Sequence, residues 1–216
     1  ENLLQELNRE NTNIHPFPLD VTNLENIKVL FENILRKIGD IDLCIFSTGI
    51  YDPKIEKEIN QKQIRNVIEV NFFGTVNCIK TVEKYFKEKK TGHISVISSV
   101  SGYRGLPGST GYGASKAALS NLAESLYFDF KRYNVRISLI SPGFIKTPMS
   151  DKNKFRMPFI KSAEFAADKI YKGLVKSKTF EIAFPKELII ILKIFRVLPY
   201  WIYLFLVDKL TKLMKR

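Results

Sequence analysis

Residues 93–119 read HISVISSVSGYRGLPGSTGYGASKAAL. The apolar run HISVISS predicts a buried strand, and the segment from about 112 to 133 predicts a helix. Tyr112 and Lys116 are four residues apart, so they share one face of that helix. A nearby ammonium group stabilises phenolate, so we expect the pKa of Tyr112 to fall from about 10 toward neutral. Such a phenol serves as a general acid or base near pH 7, although the pair alone also fits an ordinary helix start.

Strands and helices alternate on both sides of this unit. We predict helices over about 23–38, 61–90, 112–133 and 162–176, and strands in NIHPFPLDV, IDLCIFSTG, HISVISS, VRISLISPG and FEIAF. Residues 1–10 have the leucine spacing of a helix end. The prolines of NIHPFPLDV fit only an edge strand, and Thr22 with Glu25 predicts a capping box. This alternation is typical of the α/β class, with a parallel sheet between helices.

Composition limits the classes of function. The chain has 216 residues, the size of one ordinary domain, and a formal net charge of +12. Charge alone invites nucleic-acid binding, but no basic block and no nucleic-acid motif accompanies it, so we predict no nucleic-acid partner. His15 and His93 are too few and too scattered for a metal site. Cys44 and Cys78 lie in apolar runs and are predicted to be free, buried thiols, which favours the cytoplasm.

Two further polar residues stand where a site is expected. Ligands of parallel α/β sheets bind at the carboxyl ends of the strands. Ser99 ends HISVISS, and SPGFIKTP follows the next strand. Asn71 lies in the middle of a predicted long helix, where an amide is mildly unfavourable unless it has another role.

The segments VNFFGT, VISSVSG, YGASKAAL and SPGFIKTP stand in this order between Asp20 and about Ala183. In order and spacing they resemble the short-chain dehydrogenase/reductase family. The resemblance implies a Rossmann-type fold, in which a doubly wound parallel sheet forms the middle of three α/β/α layers. It implies one such domain over residues 1–185, followed by an apolar and basic helical tail over residues 186–216.

The resemblance also implies roles for individual residues. Tyr112 exchanges a proton with the substrate oxygen, and Lys116 lowers the pKa of Tyr112 and hydrogen-bonds the nicotinamide ribose. Ser99 polarises the carbonyl group, and Asn71 interrupts its helix and holds a water that links Lys116 to solvent. The implied cofactor is NAD or NADP. Its implied contacts, besides Tyr112 and Lys116, are Asp20, Val21, Ser47, Thr48, Gly49, Pro142, Gly143, Ile145 and Thr147.

Two features depart from the family pattern. Where the family has Asn-Asn-Ala-Gly, this chain has Phe46-Ser47-Thr48-Gly49. Weaker cofactor binding or a subfamily habit would each account for this, and we favour the habit. The glycine-rich loop G-x-x-x-G-x-G, which lets a pyrophosphate approach a helix N-terminus, is missing from the sequence. We therefore expect that residue 1 is not the native start, and that a segment of roughly forty residues with the first strands precedes it.

The function implied is an NAD(P)-dependent oxidoreductase that interconverts an alcohol and a carbonyl group of a small-molecule substrate. The alternative is a catalytically silent family member that serves as a binding or scaffold protein. The retained Asn71, Ser99, Tyr112 and Lys116 argue against that alternative, and the missing glycine loop is its only support.

The family usually dimerises through its two long helices, so we also expect a homo-oligomer. In this chain the second of these helices carries a leucine-rich stripe at helical spacing, which fits either that interface or the chain's own sheet. The stripe consists of Leu119, Leu122, Leu126 and Phe130.

Residues 187–216 read ELIIILKIFRVLPYWIYLFLVDKLTKLMKR. The apolar run is long enough to cross a bilayer, but Lys193 and Arg196 lie inside it and Pro199 divides it, so two shorter helices are predicted. Aromatic residues at 200–203 and the basic end favour peripheral contact with an anionic membrane. The alternatives are a cover for the substrate pocket or a subunit contact and, least favoured, a true span. The expected location is the cytoplasm, extended by this contact to the inner face of the membrane.

Overall fold

A parallel β-sheet forms the centre of the computed structural model, which describes residues 14–51 and 59–214. Within these residues the strands are β1 (Leu43–Phe46), β2 (His93–Ile97), β3 (Arg136–Pro142) and β4 (Glu181–Phe184). They neighbour one another in chain order, and each neighbouring pair is parallel. The carboxyl ends of these strands therefore meet at one edge of the sheet.

Helices separate the strands along the chain. The helix before β1 is α1 (Leu24–Lys37), and between β1 and β2 lie α2 (Gln61–Ile68), a π-helical turn (Glu69–Phe73) and α3 (Gly74–Lys89). Between β2 and β3 lies α4 (Thr110–Lys131), and between β3 and β4 lie α5 (Ala163–Tyr171) and a second π-helical turn (Lys172–Lys176). After β4 come α6 (Lys186–Val197) and α7 (Tyr200–Met214). Short 3-10 turns occupy Val100–Gly102 and Ser150–Lys152.

Alternating side chains of the strands build an apolar core on each face of the sheet. Leu139 of β3 belongs to one cluster with Phe86 of α3 and Leu119 of α4, whereas Ile140 belongs to a second cluster with Ala166 of α5. Successive side chains of a strand point to opposite faces, so helices cover both faces in three α/β/α layers. This confirms the predicted fold class. Full burial of one side chain such as Leu119 contributes about 1.5–3 kcal/mol.

The structure of residues 14–26 corrects two predictions. Residues 14–21 form no strand, so the edge strand in NIHPFPLDV is wrong; its two prolines lack the N–H groups that a ladder needs. The capping box is also wrong, because Thr22 donates to Asp20 Oδ1 and Asn23 caps α1 instead, accepting from Asn26 N at 3.1 Å. The helix end predicted in residues 1–10 lies outside the described residues.

The described strands and helices otherwise follow the predictions with shifted ends. β1 is at an edge of the described sheet, where Ile45 is exposed and Cys44 is only partly buried, so the prediction of a buried thiol is too strong for Cys44. Cys44 and Cys78 are free thiols, and burial raises the pKa of both, to about 12 and about 11. Leu119 and Phe130 are buried in the core, with Leu122 and Leu126 packed against it, so the leucine-rich stripe faces the chain's own sheet.

The apolar run after β4 forms two helices, which confirms the break predicted at Pro199. In the part of the chain that the structure describes, none of the helices is long and apolar enough to cross a membrane. The inner side of α6 packs against the residues that follow Ser99, and Tyr203 of α7 is buried beside them.

Candidate active site

The carboxyl edge of the sheet brings Ser99, Tyr112 and Lys116 together. Ser99 follows β2, and Tyr112 lies in the first turn of α4, which starts beside the same edge. The two side chains share a hydrogen bond. Ser99 is buried, and its Oγ accepts the backbone N–H of Ser101 at 3.1 Å, which orients the hydroxyl group. A hydroxyl and a phenol held in this way can both reach one carbonyl oxygen.

Lys116 is held deep in the same site. Its side chain is 3% exposed, and its Nζ donates to Ile97 O at 2.9 Å. Nζ lies 5.7 Å from the centre of the Tyr112 ring. Burial lowers the pKa of Lys116 to about 8, because a buried ammonium loses its hydration.

The pKa of Tyr112 differs from the sequence prediction. Burial raises it, and the hydrogen bond with Ser99 lowers it by a smaller amount. The expectation of a lowered value is therefore wrong for this structure. The physical reason is that a buried phenolate loses hydration, while the ammonium group of Lys116 lies over the ring and is bonded to Ile97 O.

Asn71 connects the residues after β1 to α4. It is fully buried at the centre of the first π-helical turn, which is the helix interruption that the resemblance implied. Its Oδ1 accepts from Ile50 N at 2.7 Å, and its Nδ2 donates to Ile50 O at 3.1 Å and to Ser115 Oγ at 3.0 Å. These hydrogen bonds explain why an amide side chain is found in the middle of the helix, and they fix the backbone beside Gly49.

Two residues of the site escaped the sequence analysis. Ser115 bridges the site, because its Oγ accepts from Asn71 and donates to Tyr112 O at 2.7 Å. Gly102 lets its loop lie directly on α4, since a Cβ there would be 2.8 Å from the backbone C and O of Lys116. The available signal for Ser115 was its place in the run of small residues between Tyr112 and Lys116.

Most of the predicted cofactor residues lie at the same edge of the sheet. Ser47, Thr48 and Gly49 follow β1, Pro142 ends β3, and Gly143, Ile145 and Thr147 come next. A Cβ on Gly49 would lie 3.4 Å from Lys116 Nζ and 3.7 Å from Asn71 Oδ1, so its backbone passes close to both polar groups.

Asp20 and Val21 lie instead against the start of α1 and against α3. Asp20 is exposed, and Thr22 donates two hydrogen bonds to its carboxylate, which lower its pKa. Val21 packs so closely on α3 that a Cβ on Gly74 would meet its Cγ2 at 2.5 Å. Val21 O accepts from Asn77 Nδ2 at 3.1 Å.

This combination of fold and site matches known proteins. Residues 1–157 match the family model described as short chain dehydrogenase, and the chain belongs to the short-chain dehydrogenase family. An uncharacterized oxidoreductase of Myxococcus xanthus (strain DK1622) is 32% identical over 186 residues, which are 86% of this chain and 73% of the relative.

Two better-described relatives are also similar. The 3-oxoacyl-(acyl-carrier-protein) reductase FabG of Thermotoga maritima is 33% identical over 139 residues, 64% of this chain and 56% of that protein. The crystal structure of a short chain dehydrogenase from Burkholderia cenocepacia J2315 in complex with NADP has 25% identity and a TM-score of 0.71, and the match covers 82% of this chain and 72% of that one.

Proposed function

We propose that the protein is an NAD(P)-dependent oxidoreductase that interconverts an alcohol and a carbonyl group of a small molecule. The observation that carries this proposal is the group formed by Ser99, Tyr112 and Lys116 at the carboxyl edge of the sheet. Membership of the short-chain dehydrogenase family and the NADP in the Burkholderia relative support it. Residues 1–185 would form the oxidoreductase domain.

The residues around Gly49 and Lys116 fit the ribose and nicotinamide end of NAD or NADP. Gly49 leaves the space at the end of β1 that a Cβ would fill, and the Lys116 ammonium is a donor suited to ribose hydroxyls. Pro142, Gly143, Ile145 and Thr147 follow β3 along the same edge, where they would contact the nicotinamide. When bound, the cofactor supplies or accepts the hydride.

The side chains divide the remaining chemistry among them. In the direction of reduction, the Tyr112 hydroxyl donates its proton to the carbonyl oxygen, and in oxidation the phenolate takes the proton back. The Ser99 hydroxyl donates a hydrogen bond to the same oxygen and stabilises the charge that develops there. Lys116 would donate from Nζ to the ribose of the cofactor beside Tyr112, and Asn71 holds the backbone next to Gly49.

To test this, the full-length wild type and the Tyr112→Phe variant are titrated with NADH and NADPH. Turnover of simple ketones is then measured for both proteins. We expect binding of at least one dinucleotide, and a fall in kcat of about 100-fold or more in the variant, the usual scale for a lost general acid. The cofactor affinity of the variant should stay within a few-fold of the wild-type value. Binding without any turnover would favour the silent family member, and an active Tyr112→Phe variant would refute the role of Tyr112.

We also propose a homo-oligomer. The outer side of α4 leaves Phe128 73% exposed and Tyr127 39% exposed, and such aromatic side chains are common at subunit contacts. Sedimentation of the full-length protein at micromolar concentration tests this. A dimer or tetramer that dissociates in Phe128→Glu is expected, and a monomeric wild type contradicts the proposal.

We further propose that α6 and α7 contact the anionic cytoplasmic face of a membrane. Their outer sides leave large apolar side chains exposed, among them Val197 at 80%, Trp201 at 74% and Phe205 at 65%. Five basic and two acidic residues lie in residues 186–214, which gives the surface the charge sign that anionic lipid attracts.

A further inference from the structure

The loop between Ser99 and Tyr112 lies against the two C-terminal helices. Leu188 and Ile189 of α6 are buried in one apolar cluster with Val100 and Tyr103 of this loop. The hydroxyl of Tyr103 donates to Glu181, which also forms an ion pair with Lys193 of α6. The segment that follows the candidate catalytic serine therefore shares its packing with the C-terminal helices.

Arg104 makes the most extensive of these contacts. Its Nη1 donates to Phe195 O at 2.6 Å and to Leu198 O at 2.7 Å, at the C-terminal end of α6. At the end of a helix such carbonyl groups lack the usual intrahelical donors, and Phe195 O otherwise accepts only a long bond from Leu198 N at 3.4 Å, so the guanidinium satisfies both groups and complements the helix dipole. The guanidinium also lies 4.0 Å from the ring centre of Tyr203 and 4.5 Å from that of Tyr200, both in α7. One side chain of the loop thus holds the corner between α6 and α7.

A side chain of α7 in turn contacts the loop. Tyr203 is 3% exposed, and its hydroxyl donates to Gly105 O, the residue after Arg104. The loop and α7 are therefore joined by a side chain from each of them.

The same loop orients Ser99. Ser101 N donates to Ser99 Oγ at 3.1 Å, and Gly102 rests on the backbone of Lys116. A cavity of about 300 Å3 borders Gly102, Tyr103 and Arg196, so this side of the loop is open rather than closely packed. The loop therefore depends on its contacts with α4 and with the C-terminal helices for its position.

We propose that Arg104 is a positioning residue of the active site. By fixing the loop to α6 and α7, it holds the Ser101 N–H that orients the Ser99 hydroxyl toward the substrate oxygen. The C-terminal helices then form part of the catalytic framework. The effect of Arg104 on catalysis rests on the proposed oxidoreductase function, whereas the anchoring of the loop by Arg104 does not.

The test compares Arg104→Ala with Arg132→Ala in the full-length protein. Arg132 is the matched control, because it also stacks on a tyrosine, Tyr133, at 4.9 Å, but lies at the far end of α4. Hydrogen exchange of the amides at 100–105 is expected to be faster in Arg104→Ala and unchanged in Arg132→Ala. With NADPH and ethyl acetoacetate as probes, kcat is expected to fall about 10- to 100-fold in Arg104→Ala while NADPH affinity stays within about 2-fold.

A double variant separates positioning from general damage. If Arg104 acts through Ser99, Arg104→Ala changes kcat by less than about 2-fold in a Ser99→Ala background. Equal factors in both backgrounds, or unchanged exchange at 100–105, would overturn the proposal. Arg104→Lys decides the matter if Arg104→Ala does not fold, since it keeps the positive charge but loses the guanidinium whose Nη1 donates to Phe195 O and Leu198 O. It is expected to show a smaller rise in exchange at 100–105, and unchanged exchange overturns the proposal.

An inactive wild type would count against the oxidoreductase function but not against the anchoring role of Arg104. Hydrogen exchange at 100–105 would still test whether Arg104 holds the loop against α6 and α7.

Discussion

At the scale of single residues, burial decides the charges of the site more than spacing along the helix does. Tyr112 and Lys116 lie one helical turn apart as their numbers predict, yet burial moves their pKa values in opposite directions, the tyrosine's upward and the lysine's downward to about 8. The residue types and their grouping could be predicted from the sequence. The pKa directions could not, because they depend on how completely the folded chain excludes water.

The pKa of Lys116 predicts how stability changes with pH. Below about pH 8 the lysine is charged in both states, and its burial costs the folded state about 3 kcal/mol relative to an unperturbed lysine with a pKa of 10.5. Between about pH 8 and 10.5 the folded chain releases the proton while the unfolded chain keeps it, so the cost declines. Lys116→Met should therefore gain stability over the wild type at pH 7 and lose most of that gain at pH 10.

Urea unfolding at the two pH values checks this prediction. The difference in unfolding free energy between Lys116→Met and the wild type should change by about 2.5 kcal/mol between pH 7 and pH 10. Comparing the two proteins at each pH removes the titration of all other groups. An equal difference at both pH values would mean that the folded state does not disfavour the charged lysine.

At the scale of elements, the contact between the Ser99 loop and α4 depends on a glycine. A Cβ on Gly102 would lie 2.8 Å from the backbone of Lys116, which cannot move without bending α4. Gly102→Ala should therefore destabilise the protein by about 1–3 kcal/mol, as overpacking typically does, and lower kcat by shifting Ser99. Thermal or urea unfolding, together with turnover, measures both effects.

Gly105, three residues later, is the matched control. A Cβ there meets nothing within 4 Å. Gly105→Ala should change the unfolding free energy by less than about 1 kcal/mol in either direction. If the two alanine variants were equally stable, the close approach of the loop to α4 would not be a packing constraint.

The elements also show what sequence patterns could and could not predict. In the helices and the central strands apolar residues recur at a regular spacing, and each of these elements was predicted near its observed position. The region at 14–23 failed because its pattern is carried by short polar side chains and prolines: Asp20 binds Thr22, and Asn23 takes over the cap. Arg104 could not have been singled out, since its partners are the carbonyl groups of Phe195 and Leu198, about ninety positions away.

At the scale of the whole molecule, α6 and α7 have two different sides. The inner side is used by the chain itself, through Leu188, Ile189 and Tyr203. The outer side is apolar and exposed, and five of the seven charged residues at 186–214 are basic. A cover over the Ser99 loop and a membrane contact are therefore compatible, because each uses a different side of the same helices.

Flotation with lipid vesicles tests the outer side. Trp201 and Phe205 are one turn apart on α7 and are 74% and 65% exposed, so burying either in the headgroup region would contribute on the order of 1–3 kcal/mol. The full-length protein should float with vesicles of phosphatidylglycerol and phosphatidylcholine at low salt, and less at high salt, because screening weakens the basic contribution. The double variant Trp201→Glu/Phe205→Glu should not float. The control Tyr171→Glu changes an aromatic residue on α5 that is 59% exposed, and it should float like the wild type.

Equal flotation of the wild type and the double variant would exclude this surface as the membrane contact. Failure of the wild type to float, with a change in sedimentation in the double variant, would instead identify the outer side as a contact between subunits.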